Sequence, residues 1–96
     1  MNLADLDATL GSAAVDELLA VYRQDLAARL AQVRAATDPE DVRRHAHALR
    51  SAAASFGATE LMEAARALEC SGGTLAAVER AASALDAALL VRLTQV

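Results

Sequence analysis

Residues that interrupt a helix occur at only four places in this chain: Gly11, Pro39, Gly57 and the pair Gly72–Gly73. One proline and four glycines in 96 residues leave strands and their turns little to work with. Between the breaks the chain is dominated by alanine, leucine, arginine and glutamate, all strong helix formers. Hydrophobic residues make up 55% and aromatics only 2%, so any core must be aliphatic. The expected class is all-α. The length suits one domain over residues 1–96 with one hydrophobic core.

Apolar spacing predicts where the helices run. Leu3, Leu6 and Leu10 mark a short amphipathic segment that ends at Gly11. Ser12 is expected to cap the next helix, in which Val15, Leu18, Leu19, Tyr22, Leu26, Leu30 and Val33 keep a helical period. The stretch TDPED then restarts the helix. Asp38 is placed to cap, Pro39 suits the first turn, and Glu40 and Asp41 lie at the positive dipole end. This third helix runs through Val42, Ala46, Leu49, Ala53 and Phe56 to a stop at Gly57. A fourth starts near residue 59, with Leu61, Ala65 and Leu68 on one face. SGG at 71–73 breaks the chain again. Thr74 can cap a last helix through Leu75, Val78, Ala82, Leu85, Leu89 and Leu93.

Short connections make sequential helices antiparallel neighbours. The expected architecture is an antiparallel up-and-down four-helix bundle with a short extra N-terminal helix. Phe56 and Tyr22 are assigned to the core, and Met62 to packing rather than docking. Leu90 and Val91 fall off the last helix's apolar stripe and mark either a dimer contact or a small exposed patch.

The net charge, 9 − 13 = −4, argues against nucleic acid or an anionic membrane as partner. All nine basic residues are arginine. Cys70 stands alone and cannot form an intramolecular disulfide, and no Cys/His cluster suggests zinc. The opening MNLADLDATLG lacks a secretory layout, and no apolar run approaches membrane-spanning length. A cytoplasmic monomer is expected. The initial methionine and the helical end without a linker point to a free-standing protein.

The stretch RRHAHALRSAAASFG, residues 43–57, holds both histidines. At about 100° per residue, His45 lies roughly 60° from the core-facing direction and His47 roughly 140°. Imidazoles two residues apart on different faces cannot share a metal as an i, i+4 pair can, so no metal site is expected. Arg43, Arg50, Ser51 and Ala54 lie within about 60° of His47. An exposed histidine with arginines one turn to either side suits a transferable anion. The neutral imidazole is a nucleophile near pH 7, and guanidiniums offset and orient phosphoryl oxygens. Small residues at 51–55 leave room for a second protein's reactive group. The plainer alternative is a surface histidine beside a strip of small residues that lets two helices approach.

From His47 onward, HALRSAAASFGATEL, residues 47–61, resembles the signature of histidine-containing phosphotransfer (HPt) domains. His47 falls on the phosphorylated histidine, Leu49 on the following apolar position and Arg50 on the usual lysine. Ser51 stands where the family has glycine, and Gly57 and Leu61 match at the expected offsets. In ARALE, Glu69 occupies the place where the family commonly has Glu or Gln facing the active histidine. Upstream, LLAVYRQDLAARLAQVRAATDPEDVRRHAHAL follows the family's long helix, acidic break and entry into the histidine helix. The resemblance extends over residues 2–95. Arg50 keeps lysine's charge but not its point-donor geometry, and Ser51 adds a small hydroxyl.

The resemblance implies a phosphorelay intermediate. A histidine kinase, or a phosphoaspartate on a response-regulator receiver domain, donates to His47, and a receiver aspartate then accepts. Such a domain is a phosphocarrier rather than an enzyme and needs no cofactor of its own, because the receiver holds Mg²⁺. No P-loop motif is present. His47 would react through Nε2. Glu69 would accept a hydrogen bond from Nδ1–H and so fix the tautomer, or it is a solvated helix-end charge. Arg50 and Arg43 would stabilise phosphoryl charge and steer the acidic mouth of a receiver, with Arg44 at the rim and Ser51 and Ala54 beneath the partner. Two rivals stand beside this reading. One is a helical module that binds a kinase or receiver without carrying phosphate; the other is the phosphorylated domain of a chemotaxis-type kinase.

Overall fold

A computed structural model describes residues 3–70 and 72–94. The helices are α1 (Leu3–Leu10), α2 (Ser12–Ala35), α3 (Pro39–Ser55), α4 (Thr59–Glu69) and α5 (Leu75–Thr94), with no strand among the described residues. Of the expected break at 71–73, Ser71 lies outside them.

Local chemistry explains the boundaries. Asp38 caps α3: its Oδ1 accepts from the Glu40 N–H at 2.9 Å, and Pro39 fills the first helical position. Gly57 ends α3 in a left-handed conformation, φ 66°. Its N–H donates to the Ala54 carbonyl at 3.1 Å, and the Ala58 N–H donates to the Ala53 carbonyl at 2.9 Å. This is a Schellman closure that turns the chain straight into α4. Thr74 caps α5 through its hydroxyl, which accepts from the Ala77 N–H at 3.1 Å. The start of α2 differs from expectation. Ser12 is already helical, and the cap position belongs to Gly11 at φ 84°, ψ 149°, with no side-chain cap bond. That backbone region favours glycine, so the reversal from α1 is made one residue earlier than the serine suggested.

The four longer helices form a closed ring in which α2 touches α3, α3 touches α4, α4 touches α5, and α5 returns to α2. Leu26 and Val33 from α2, Leu49 and Ala53 from α3, Leu61 and Ala65 from α4, and Val78 and Ala82 from α5 form one apolar cluster, completed by Ala58. A second gathers Val15, Leu19, Tyr22 and Leu89, against which Leu3 and Leu6 of α1 and Phe56 pack. The Tyr22 and Phe56 rings stack with centroids 4.4 Å apart. Burial pushes the Tyr22 phenol up to about 12, with Asp25 adding to the shift. Leu18, expected in the core, is 45% exposed; the buried stripe Val15–Leu19–Tyr22–Leu26 leaves it one step round the helix. Leu90 and Val91 are exposed and Met62 half-buried.

Ion pairs join α2 to α5: Arg34–Glu79 at 3.4 Å, Arg23–Asp86 at 2.7 Å and Arg92–Asp16 at 2.8 Å. Rising numbers on α2 meet falling numbers on α5, so the two helices run in opposite directions. Arg92 also grips Asp7 of α1, at 2.6 and 2.9 Å. Hydrogen bonds from Arg92 and Arg23 hold the carboxyls of Asp7 and Asp86 below their ordinary value of 3.8. A depressed folded-state value means the unfolded chain binds the proton first, so these pairs stabilise above that ordinary value and the gain is lost as pH falls through the folded-state values. The melting temperature is therefore expected to fall on acidification below about pH 4. In the double variant Asp7→Asn, Asp86→Asn that fall should be shallower. An equally steep fall in calorimetric scans would show that other carboxylates control the acid limb.

Candidate functional site

The buried side of α3 consists of Ala46, Leu49 and Ala53. Two methyl-sized residues allow a close approach, and α3 and α4 are the most closely packed pair in the ring. The tight turn at Gly57 brings the end of α4 back beside the middle of α3. Glu69, the last residue of α4, thereby meets His47, 22 positions earlier.

The His47 side chain is 56% exposed, against 32% for Arg50 and 18% for Glu69. His47 Nδ1 lies 2.9 Å from Glu69 Oε1. Arg50 Nη1 lies 3.0 Å from Glu69 Oε2, and Arg50 Nη2 lies 3.3 Å from His47 Nδ1. Glu69 Oε2 is buried and has no aligned hydrogen bond, so its contact with Arg50 is an ion pair held by charge. Glu69 and Arg50 make opposite demands on Nδ1, because a carboxylate accepts and a guanidinium only donates. The shorter contact, to a carboxylate, favours the tautomer with hydrogen on Nδ1. Among the described residues nothing engages Nε2.

The other residues singled out by sequence take more peripheral places. Arg43 pairs with Glu40 at 2.7 Å and Arg44 with Asp41 at 3.0 Å, both within the first turns of α3 and both exposed. Arg43 also lines a depression of about 240 Å³ with Val42, Leu68 and Glu69. Ser51 and Ala54 are exposed on α3, and the Ser55 hydroxyl donates to the Ser51 carbonyl at 3.2 Å. His45 is half-buried.

Two features escaped sequence reasoning. Arg50 sits on the Nδ1 edge of the ring and on Glu69, a placement that depends on the α3–α4 register. Gly73 lies hard against the last turn of α4: a Cβ there would stand 2.7 Å from Leu68 N and 2.8 Å from both Ala67 C and Ala67 Cβ. Only glycine fits, and the return of the chain braces the helix end that carries Glu69. The doubled glycine was the available signal.

A hollow of about 560 Å³ between α2 and α5 is lined by Leu26, Leu30 and Ala82 with Arg23–Asp86 and Arg34–Glu79 among its walls. None of the residues at His47 lines it. No helix among the described residues is long and apolar enough to cross a membrane.

The family model described as Hpt domain matches residues 17–95, leaving α1 outside the matched part. No curated protein and no solved structure gives a match.

Proposed function

The chain belongs to the Hpt domain family, a phosphotransfer module of two-component signalling, and from that premise we propose that it is a phosphorelay intermediate whose acceptor is His47. The observation that carries this reading is the asymmetry of the ring: Nδ1 lies 2.9 Å from Glu69, while Nε2, on a side chain 56% exposed, has no partner among the described residues. A histidine with one nitrogen fixed as donor offers a lone pair at the other.

The donor is a histidine kinase or the phosphoaspartate of a receiver domain. In the second case the Nε2 lone pair attacks phosphorus and the bond from phosphorus to the aspartyl oxygen breaks. The aspartate leaves as carboxylate with that electron pair. Nδ1 keeps its proton, and the positive charge gained by the ring lies beside Glu69. Passing the group to a second receiver reverses these steps. The transition state needs attacking and leaving atoms in line, which an exposed helix face permits. Ser51 and Ala54 lie under the incoming partner, and Arg43 and Arg44 face its acidic mouth.

In this reading the chain is one domain, an antiparallel up-and-down four-helix bundle with α1 added. It acts as a cytoplasmic monomer, binds neither nucleic acid nor membrane, and has no kinase or phosphatase activity. It needs no cofactor; the receiver brings Mg²⁺.

The test is transfer from a panel of phosphorylated receiver domains to wild type, His45→Gln and His47→Gln. Acid-labile label is expected on the first two and absent from the third. Receivers that bind the wild type without ever labelling it would make the protein a binding module instead.

A further inference from the structure

The first helix lies against the ring without belonging to it, since the ring closes through α2, α3, α4 and α5 alone. None of the eight residues of α1 is buried. The side chains it packs on are nonetheless fully enclosed: Val15, Leu19 and Leu89 are each 0% exposed. Leu3 and Leu6 supply the apolar cover, and Arg92 adds a two-pronged grip on Asp7. At about 100° per residue, Leu3, Leu6, Asp7 and Leu10 share one face of α1. Leu10 ends that face and is 48% exposed, so its leucine is largely unused.

These contacts can be released while the ring stays sealed. Arg92 holds Asp16 of α2 through Nε at 2.8 Å, independently of the Nη groups that reach Asp7. Arg23–Asp86 and Arg34–Glu79 do not involve α1 at all. The connection to α2 is Gly11, at φ 84° and without a side-chain cap bond, where a glycine can change backbone region at little cost.

Release would leave an apolar floor of Val15, Leu19 and Leu89 with the Arg92 guanidinium at its edge. Water does not tolerate such a surface, so it is covered by α1 or by something built like it. The chemistry of an occupant is stated by α1 itself: two leucines three positions apart, followed at once by a carboxylate. A second copy's α1 offers the same contacts at a lower local concentration than the tethered one and gains nothing. A longer helix with the same spacing covers more of the floor and its rim, and so displaces it.

We propose that this end of α2 and α5 is a helix-docking socket for which α1 is the built-in cap, and that its external occupant is an amphipathic helix of another protein with the Leu-x-x-Leu-Asp spacing of Leu3, Leu6 and Asp7. Recognition is of the helix-in-groove kind, with the carboxylate read by Arg92. The socket shares no residue with His47, Arg50 or Glu69, so docking there leaves the imidazole open.

The test uses the full chain with ¹³C-labelled leucine and valine methyls. The probe is a synthetic acetylated peptide carrying the LADLDATL segment twice in tandem. It is titrated into wild type and into Leu6→Asp, which weakens the protein's own cap. The Leu19 and Leu89 methyl signals are expected to shift, with a dissociation constant at least tenfold lower for Leu6→Asp than for wild type. A peptide with Asn at both Leu-x-x-Leu-Asp aspartates is expected to bind at least threefold more weakly. No shift at millimolar peptide, in Leu6→Asp protein whose Leu49 and Val78 signals remain native, overturns the proposal. Amide exchange of wild type alone gives a second reading that needs no variant. Exchange in α1 is expected to be at least thirtyfold faster than in the middle of α2 and α5. Exchange of α1 only together with the whole bundle would show that the cap does not separate, and would overturn the proposal. Light scattering that finds pairs of chains with exchanged α1 helices would assign the socket to a second copy and overturn the choice of partner.

Discussion

Leu49→Ala is expected to lower the unfolding free energy by about 3 to 4 kcal/mol, the largest stability loss of any single substitution considered. Leu49 is 1% exposed and is the one large side chain that α3 buries; its companions there are Ala46 and Ala53. Around it stand Leu26, Val33, Leu61 and Val78, contributed by the other three long helices. A cavity at that point cannot be filled by a shift of α3 toward α4, because the two helices already meet through alanines. A domain of this size has a total stability of roughly 5 to 15 kcal/mol, so the change removes a large share. The melting temperature should drop by roughly 12 to 30 °C. A loss below about 1 kcal/mol in urea titration would mean that the ring contracts around the vacancy after all.

Glu69→Ala should leave the fold almost untouched and the chemistry damaged. The substitution removes the acceptor from Nδ1 and the counter-charge from Arg50, whose side chain is 32% exposed and can turn to water. Loss of the partner that orients a functional histidine typically costs about tenfold to a hundredfold in activity. Single-turnover transfer from a phosphorylated receiver should slow by that amount, with half-saturating receiver concentration little changed. Glu69→Gln should fall between, since its carboxamide oxygen still accepts from Nδ1–H while its NH₂ can equally serve the other tautomer. Wild-type rates in Glu69→Ala would reduce the 2.9 Å contact to a helix-end ion pair without a part in transfer.

The helix ends were legible because the residues that set them act locally. Asp38, Pro39, Gly57 and Thr74 each do in the structure what their chemistry demands within a few positions of chain. Ser12 misled because the choice of cap depended on how sharply α1 turns back, and Gly11 alone accepts that backbone. Leu18 misled because one apolar residue too many lay along α2 for the width of its buried stripe. At the site, the exposed His47 and half-buried His45 follow from the angular spacing on α3. The side on which Arg50 approaches the ring does not, since it is decided by a carboxylate on another helix. The three-way clamp of Arg92 with Asp7 and Asp16 was not legible either. Its partners lie 85 and 76 positions away, and no local pattern marks them.

The separations along the chain also bear on the order of assembly. His47, Arg50 and Glu69 lie within one hairpin and meet across 22 positions, whereas the Arg23–Asp86 and Arg92 pairs span 63 to 85. Loop-closure entropy rises by about 0.6 kcal/mol for each doubling of length, so the sealing contacts carry roughly 1 kcal/mol more of that penalty than the contact at the imidazole. On a ribosome the difference becomes one of time. Once Glu69 has emerged, every group in contact at the imidazole is present, while α5 has still to follow it out. The histidine hairpin comes first, and the last helix closes the protein behind it.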